Sequence, residues 1–134
     1  MHEPVSISVR STRRIQTLGI TAQVRDAVTR SGVREGICVV FVPHTTAGLT
    51  LNENADPDVV VDVEGALSRL APVSAPYRHA EGNSDSHVKT SLVGSSLTLI
   101  VHRGALVLGG WQGIHFCEFD GPRSRTVHVK CVEG

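Results

Sequence analysis

The amino-acid sequence predicts an α+β fold, a mostly antiparallel β-sheet sandwich with two main helices, forming one domain over residues 1–134. Three observations carry this reading. Apolar residues alternate with polar ones near both ends of the chain, two stretches show helical spacing with their own start and stop signals, and turn residues separate short strands toward the C-terminus. At 134 residues the chain is long enough for one core and too short for two ordinary domains.

Val5, Ile7 and Val9 alternate with polar neighbours and mark a half-buried first strand. Thr21 to Arg30 places Val24, Ala27 and Val28 on one helical face continued from Ile20, with Thr21 as N-cap and Ser31-Gly32 as the stop. Ile37 to Val42 is a continuous apolar run between Gly36 and Pro43, read as a strand buried on both faces. Asp56-Pro57 is the clearest helix start, a capping carboxylate followed by proline at the first helical position. Val59, Val60, Val63, Ala66, Leu67 and Leu70 then form one apolar face, which Pro72 ends. Residues 72–86 read as a long polar loop, with a short helical stretch near Val88–Leu92. Leu97–Val101, Ala105–Leu108, Trp111–Asp120 and Thr126–Val132 complete an antiparallel meander, turning at His102-Arg103-Gly104 and at Gly121-Pro122.

Composition excludes several roles. Thirteen basic residues balance thirteen acidic ones, which argues against a nucleic-acid partner held by many phosphate contacts and against a polybasic membrane binder. No apolar run approaches the roughly 20 residues that span a bilayer, and the N-terminus shows no secretory signal. Cys38, Cys117 and Cys131 are odd in number and widely spaced, as reduced thiols in strands would be. The expectation is a cytoplasmic protein.

Seven histidines against five aromatic residues make histidine placement the informative question. Three polar clusters stand out. Pro43-His44-Thr45-Thr46-Ala47-Gly48 follows a buried strand and leads to Asn52-Glu53-Asn54, so the sheet would hold an imidazole and two hydroxyls toward a cleft. His79 and His87 lie eight residues apart with Glu81 and Asp85 between them, and imidazole with carboxylate is the ligand set of zinc and similar divalent ions. With His44 they would make a three-imidazole metal site with an open position, one ligand oriented by Asp85 or Glu81. Trp111 stands among Gly109, Gly110, Gln112 and Gly113, and Arg123 follows a tight turn from which its guanidinium fork would grip a phosphate. A simpler reading has Trp111 plugging a core or interface and Arg123 paired with Glu118 or Asp120. His115 shares a strand face with Cys117 and Phe119 and reads as core or interface packing.

The runs HTTAGLTLNENADPDVVVD, YRHAEGNSDSHVKTSLVGSS and LVLGGWQGIHFCEFDGPRSR, with the closing VHVK, resemble the YjbQ family, the secondary thiamine-phosphate synthase enzymes. The likeness covers nearly the whole chain, and it departs where the family's Gly-Thr-Trp-Gln reads Gly109-Gly110-Trp111-Gln112 here. It implies a YjbQ-like α+β fold and a homotrimer with sites near subunit contacts. It also implies joining hydroxymethylpyrimidine diphosphate to thiazole phosphate, with release of pyrophosphate. By motif position it implies a divalent metal, zinc or magnesium, on His44, His79 and His87, with Glu53 and Asp85 as catalytic carboxylates. Thr45, Thr46, Asn52, Trp111, Gln112 and Arg123 would contact the substrates. Two other readings stay open: a metal-dependent hydrolase or phosphatase acting on a small phosphorylated metabolite, and a non-enzymatic trimeric metabolite-binding protein.

Overall fold

A computed structural model describes residues 3–134. In chain order the elements are β1 (Val5–Arg10), β2 (Gln16–Gly19), α1 (Thr21–Ser31), β3 (Gly36–Phe41), β4 (Ala47–Glu53), α2 (Pro57–Leu70), α3 (Ser84–Val93), β5 (Ser96–His102), β6 (Ala105–Leu106), β7 (Gln112–Glu118) and β8 (Ser124–Glu133). They form a five-stranded sheet in the order β1-β8-β3-β5-β6 and a three-stranded sheet in the order β2-β7-β4, and every pairing is antiparallel. The α+β class predicted from the sequence is therefore the class observed.

The core lies between the inward faces of these sheets and helix α1. Ile7 and Val9, Cys38 and Val40, Leu99 and Val101, and Val127, Val129 and Cys131 come from the large sheet. Leu49, Ile114 and Phe116 come from the small one, and Val24, Ala27 and Val28 from α1. Strands β1, β3, β5 and β8 of the large sheet alternate inward and outward residues, the period that a sheet with one covered face requires. This corrects the doubly buried reading of β3: Ile37 and Phe41 are 41% and 43% exposed, because none of the described residues covers them on the outer face of the large sheet.

Local signals explain most element ends. Asp56 accepts the Asp58 N–H at 2.9 Å, with Pro57 at the first helical position, so α2 starts as its sequence dictates. At α1 the helix begins at Thr21 itself, and the Thr21 hydroxyl accepts the Ile114 N–H at 2.9 Å instead of capping. Arg103 and Gly104 both have positive φ, 54° and 79°, the geometry of a tight two-residue hairpin between β5 and β6.

Three segments depart from the sequence reading, the first being β2, to which the sequence reading assigns no strand. Residues 47–53 form a strand where the sequence reading assigns no element, and α3 starts at Ser84, which shortens the predicted 72–86 loop. The start of α3 is obscured by its polar composition. Ser84, Asp85, Ser86 and Lys89 are the buried residues of α3, so its inner face is polar and shows no apolar periodicity. Gly48 makes the docking of α3 possible: a Cβ there would lie 2.5 Å from the Gly94 carbonyl oxygen, which accepts the Leu49 N–H at 3.0 Å.

A candidate oxyanion cleft at one end of the small sheet

The site is anchored by one buried ion pair. Arg125 is 6% exposed and Glu118 is fully buried. Arg125 donates to Glu118 through Nε at 2.9 Å and through its terminal nitrogen, and that nitrogen also reaches the Thr46 hydroxyl at 2.8 Å. Glu118 further accepts the Ser11 hydroxyl at 2.7 Å and the Asp120 N–H at 3.1 Å. Burial disfavours the Glu118 charge, but these donors outweigh it and hold the carboxyl below its ordinary value. The network ties β7, β8 and the segment before β4 into a rigid floor.

Over this floor opens a cleft of about 350 Å³, lined among others by His44, Thr45, Thr46, Asn83, His87 and Arg123. Asn83 donates to Asp120 Oδ2 at 2.9 Å, which fixes the start of α3 against the turn after β7. Arg123 donates to the Asp120 carbonyl at 2.9 Å and to its carboxylate at 2.8 Å, while its side chain stays 52% exposed. The pairing with Asp120 aims the guanidinium and leaves one of its nitrogens outside these bonds. His79 joins the group through His87, their rings 5.5 Å apart and nearly perpendicular.

His44 is the most constrained imidazole here. Its Nε2 lies 2.9 Å from the backbone nitrogen of Thr126, and a backbone N–H only donates, so Nε2 is the acceptor and carries no proton. Burial and the Arg125 charge push His44 below its usual pKa. The geometry does not fit a metal ligand. Nε2 is taken by Thr126, and freeing the Nδ1 lone pair would require a proton on Nε2 facing that same N–H. Among the described residues, no three His, Cys, Asp or Glu side chains stand where they would hold a metal ion.

The remaining candidates lie elsewhere. Asp85 is fully buried, bound by Arg14 through two 3.0 Å bonds and by Lys89 at 2.9 Å, so it does not line the cleft. Glu53 and Gln112 pair across β4 and β7, whereas Ala47 and Glu118 pair at the other end of the same strands. Seven residues of strand span about 20 Å, which separates the histidine cleft from Glu53 by that much within one chain. Trp111, 69% exposed, lines a different cleft of about 580 Å³ with Gln112, Asn54, Thr21 and Arg25. Asn52 and Glu53 face the groove beneath α2. His115 is buried there as predicted, its Nε2 3.3 Å from Asn54 Oδ1 and its pKa pushed down by burial.

Arg125 was missed by the sequence reading, although a signal existed. It lies two residues before Val127 on the inward register of β8, and an arginine at an inward position demands a buried acid. The Gly110 departure is sterically open: its φ is not in the left-handed region, and a Cβ there meets nothing within 4 Å. Gly110→Thr is therefore expected to fold unchanged and to raise stability by about 0.5 kcal/mol through the unfolded chain, read as a higher urea midpoint. A loss of stability would mean that the turn, braced by the Gly109 N–H bond to Gln112 Oε1 at 2.8 Å, requires glycine.

The architecture defines a class: a small antiparallel two-sheet α+β protein with a cleft of imidazoles, hydroxyls and a guanidinium at the end of its smaller sheet. Residues 5–134 match the family described as UPF0047 protein YjbQ-like, and the chain belongs to that family. A UPF0047 protein of Methanocaldococcus jannaschii is 49% identical over 124 residues, covering 92% of this chain and 90% of that protein. The Bacillus subtilis UPF0047 protein YugU is 44% identical, covering 95% of this chain and 97% of its own length. A crystal structure of a YjbQ/UPF0047 family protein from Clostridium acetobutylicum superposes with a TM-score of 0.94 at 51% identity, covering 96% of this chain and 99% of that one. The crystal structure of a YbjQ-like protein of unknown function from Sulfolobus solfataricus does so with a TM-score of 0.96 at 30% identity, covering 100% and 99%.

Proposed function

We propose that the cleft at His44, His87 and Arg123 binds the phosphate or diphosphate of a small metabolite, and that the protein carries out thiamine-phosphate synthase-like coupling. The observation that carries this is the convergence of Arg123, two imidazoles and the Thr45 and Thr46 segments on one cleft. In the coupling, the bond between the pyrimidine methylene carbon and the diphosphate oxygen breaks, and the diphosphate leaves with the electron pair. The thiazole nitrogen lone pair forms the new carbon–nitrogen bond. Arg123 and the imidazoles would bind the departing charge, and the rigid floor would hold the carbon in line with its attacker.

Incubating purified protein with both substrates is expected to yield thiamine phosphate, with the His44→Ala/His87→Ala double variant slower by 10²-fold or more, on the scale of losing preorganised donors. Equal product from protein and double variant, at the level of a protein-free control, sinks the coupling.

The reading includes a homotrimer. Trp111, Gln112 and Glu53 lie at the end of the small sheet remote from the histidine cleft, so action on a shared substrate needs a second copy. A closed ring uses two different surfaces on each subunit. Exposed apolar residues favour one: Ile37, Phe41, Ile100 and Val132 share the outer face of the large sheet, and Val61 is exposed on α2. Ile37 is flanked by Ile100 and Val132 in register, which makes the sheet patch continuous. Solution mass is expected at three times the 14.3 kDa chain, and Ile100→Glu or Val61→Glu is expected to reduce it to the single-chain value. A wild-type mass of one chain rejects the trimer.

A further inference from the structure

We infer that His44 serves the cleft as a neutral N–H donor, through Nδ1, to a tetrahedral oxyanion bound directly by the protein and not through a resident metal ion. The inference rests on the reading of this cleft as a phosphoryl-group site and deepens it. It also opposes the ligand role that the histidine pattern predicts for this residue.

Thr126 is part of β8, and its N–H points at Nε2 over 2.9 Å. Rotating the ring by half a turn would aim a C–H at that N–H, so the ring orientation is set by the contact and the tautomer follows from it. The proton of the neutral ring then resides on Nδ1, and His44 lines the cleft. Arg125, held by Glu118 and Thr46, lines the same cleft as His44. A neutral donor beside the Arg123 cation is a suitable partner for an anion: it binds oxygen with no proton to lose at neutral pH. A base role is excluded by the same geometry, since the one free lone pair is already bonded to the backbone.

Nitrogen NMR of uniformly ¹⁵N-labelled protein at pH 7 reads the tautomer without reference to activity. The His44 pair, identified by its loss in His44→Gln, is expected to show a protonated, pyrrole-type Nδ1 and a bare, pyridine-type Nε2. Titration with inorganic phosphate is expected to move the Nδ1 signal, equally with EDTA and with added zinc. His44→Gln keeps an acceptor for Thr126 but places no donor at Nδ1, and is expected to bind phosphate about tenfold more weakly, the effect of about 1.4 kcal/mol for one hydrogen bond to a charged group. His44→Asn, whose amide nitrogen can occupy the Nδ1 position, is expected to recover part of that loss.

A protonated Nε2, or phosphate binding that requires zinc, overturns the inference and leaves the phosphoryl cleft standing. Phosphate binding that is undiminished in His44→Gln overturns it as well. Failure of phosphate to bind under any condition overturns the inference and the cleft reading together. Phosphate binding with the expected tautomer but no thiamine phosphate formed removes the coupling and supports the donor role.

Discussion

Arg125→Met is expected to lower stability by about 3–5 kcal/mol, the usual cost of leaving one partner of a buried ion pair uncompensated. The fully buried Glu118 would keep only the Ser11 hydroxyl and the Asp120 N–H, and Thr46 would lose its guanidinium partner. For a chain of this length the loss corresponds to roughly 10–20 °C in melting temperature. The double variant Glu118→Leu/Arg125→Met is expected to regain most of it, because the cost lies in the orphaned charge and not in the missing attraction. Thermal melts of both variants check this. A single variant within 1 kcal/mol of wild type would mean that water reaches Glu118 and that the cleft floor is softer than its geometry indicates.

Asp85→Asn is expected to be as damaging for the same reason. It strands Lys89, 1% exposed in α3, and removes the carboxylate that receives both Arg14 and Lys89. The pH dependence follows from the sign of the shift. Burial pushes the Asp85 carboxyl up, but the Arg14 and Lys89 bonds dominate and bring it from 3.8 to about 2. A carboxyl with a depressed folded-state pKa contributes stability above its unfolded value, and that contribution is lost as pH falls from about 4 through about 2. Wild type should therefore lose stability in this window through Asp85, and Asp85→Asn should lack that part of the slope. Urea midpoints from pH 5 to pH 2 make the comparison. An Asp85→Asn variant that keeps wild-type stability but loses coupling would restore the catalytic role that motif position implies for this residue.

These two networks show where sequence reasoning reached and where it stopped. Strands β1, β5 and β8 and helices α1 and α2 were readable because their apolar periods are regular and their ends carry local signals such as Asp56-Pro57. Strand β4 and the start of α3 were not, since Asn52, Glu53, Ser84, Asp85 and Ser86 look like loop residues until their partners are known. The histidine cleft was half visible: His44, His87 and Arg123 were singled out, and the structure brings them together. The chain held no sign that Trp111, Gln112 and Glu53 would be carried to the far end of the same strands, because that distance is a consequence of register.

The order and type of most elements follow from the amino-acid sequence alone, as does the family, because periodicity, caps and motifs are local properties of neighbouring residues. Which charges are buried together, which nitrogen of His44 holds the proton, and which polar residues share a cleft were decided only by the tertiary structure. Each of these depends on a partner distant in the chain, as Thr126 is for His44 and Glu64 is for Thr17, and a one-residue change of register would replace every such partner while leaving the local pattern intact.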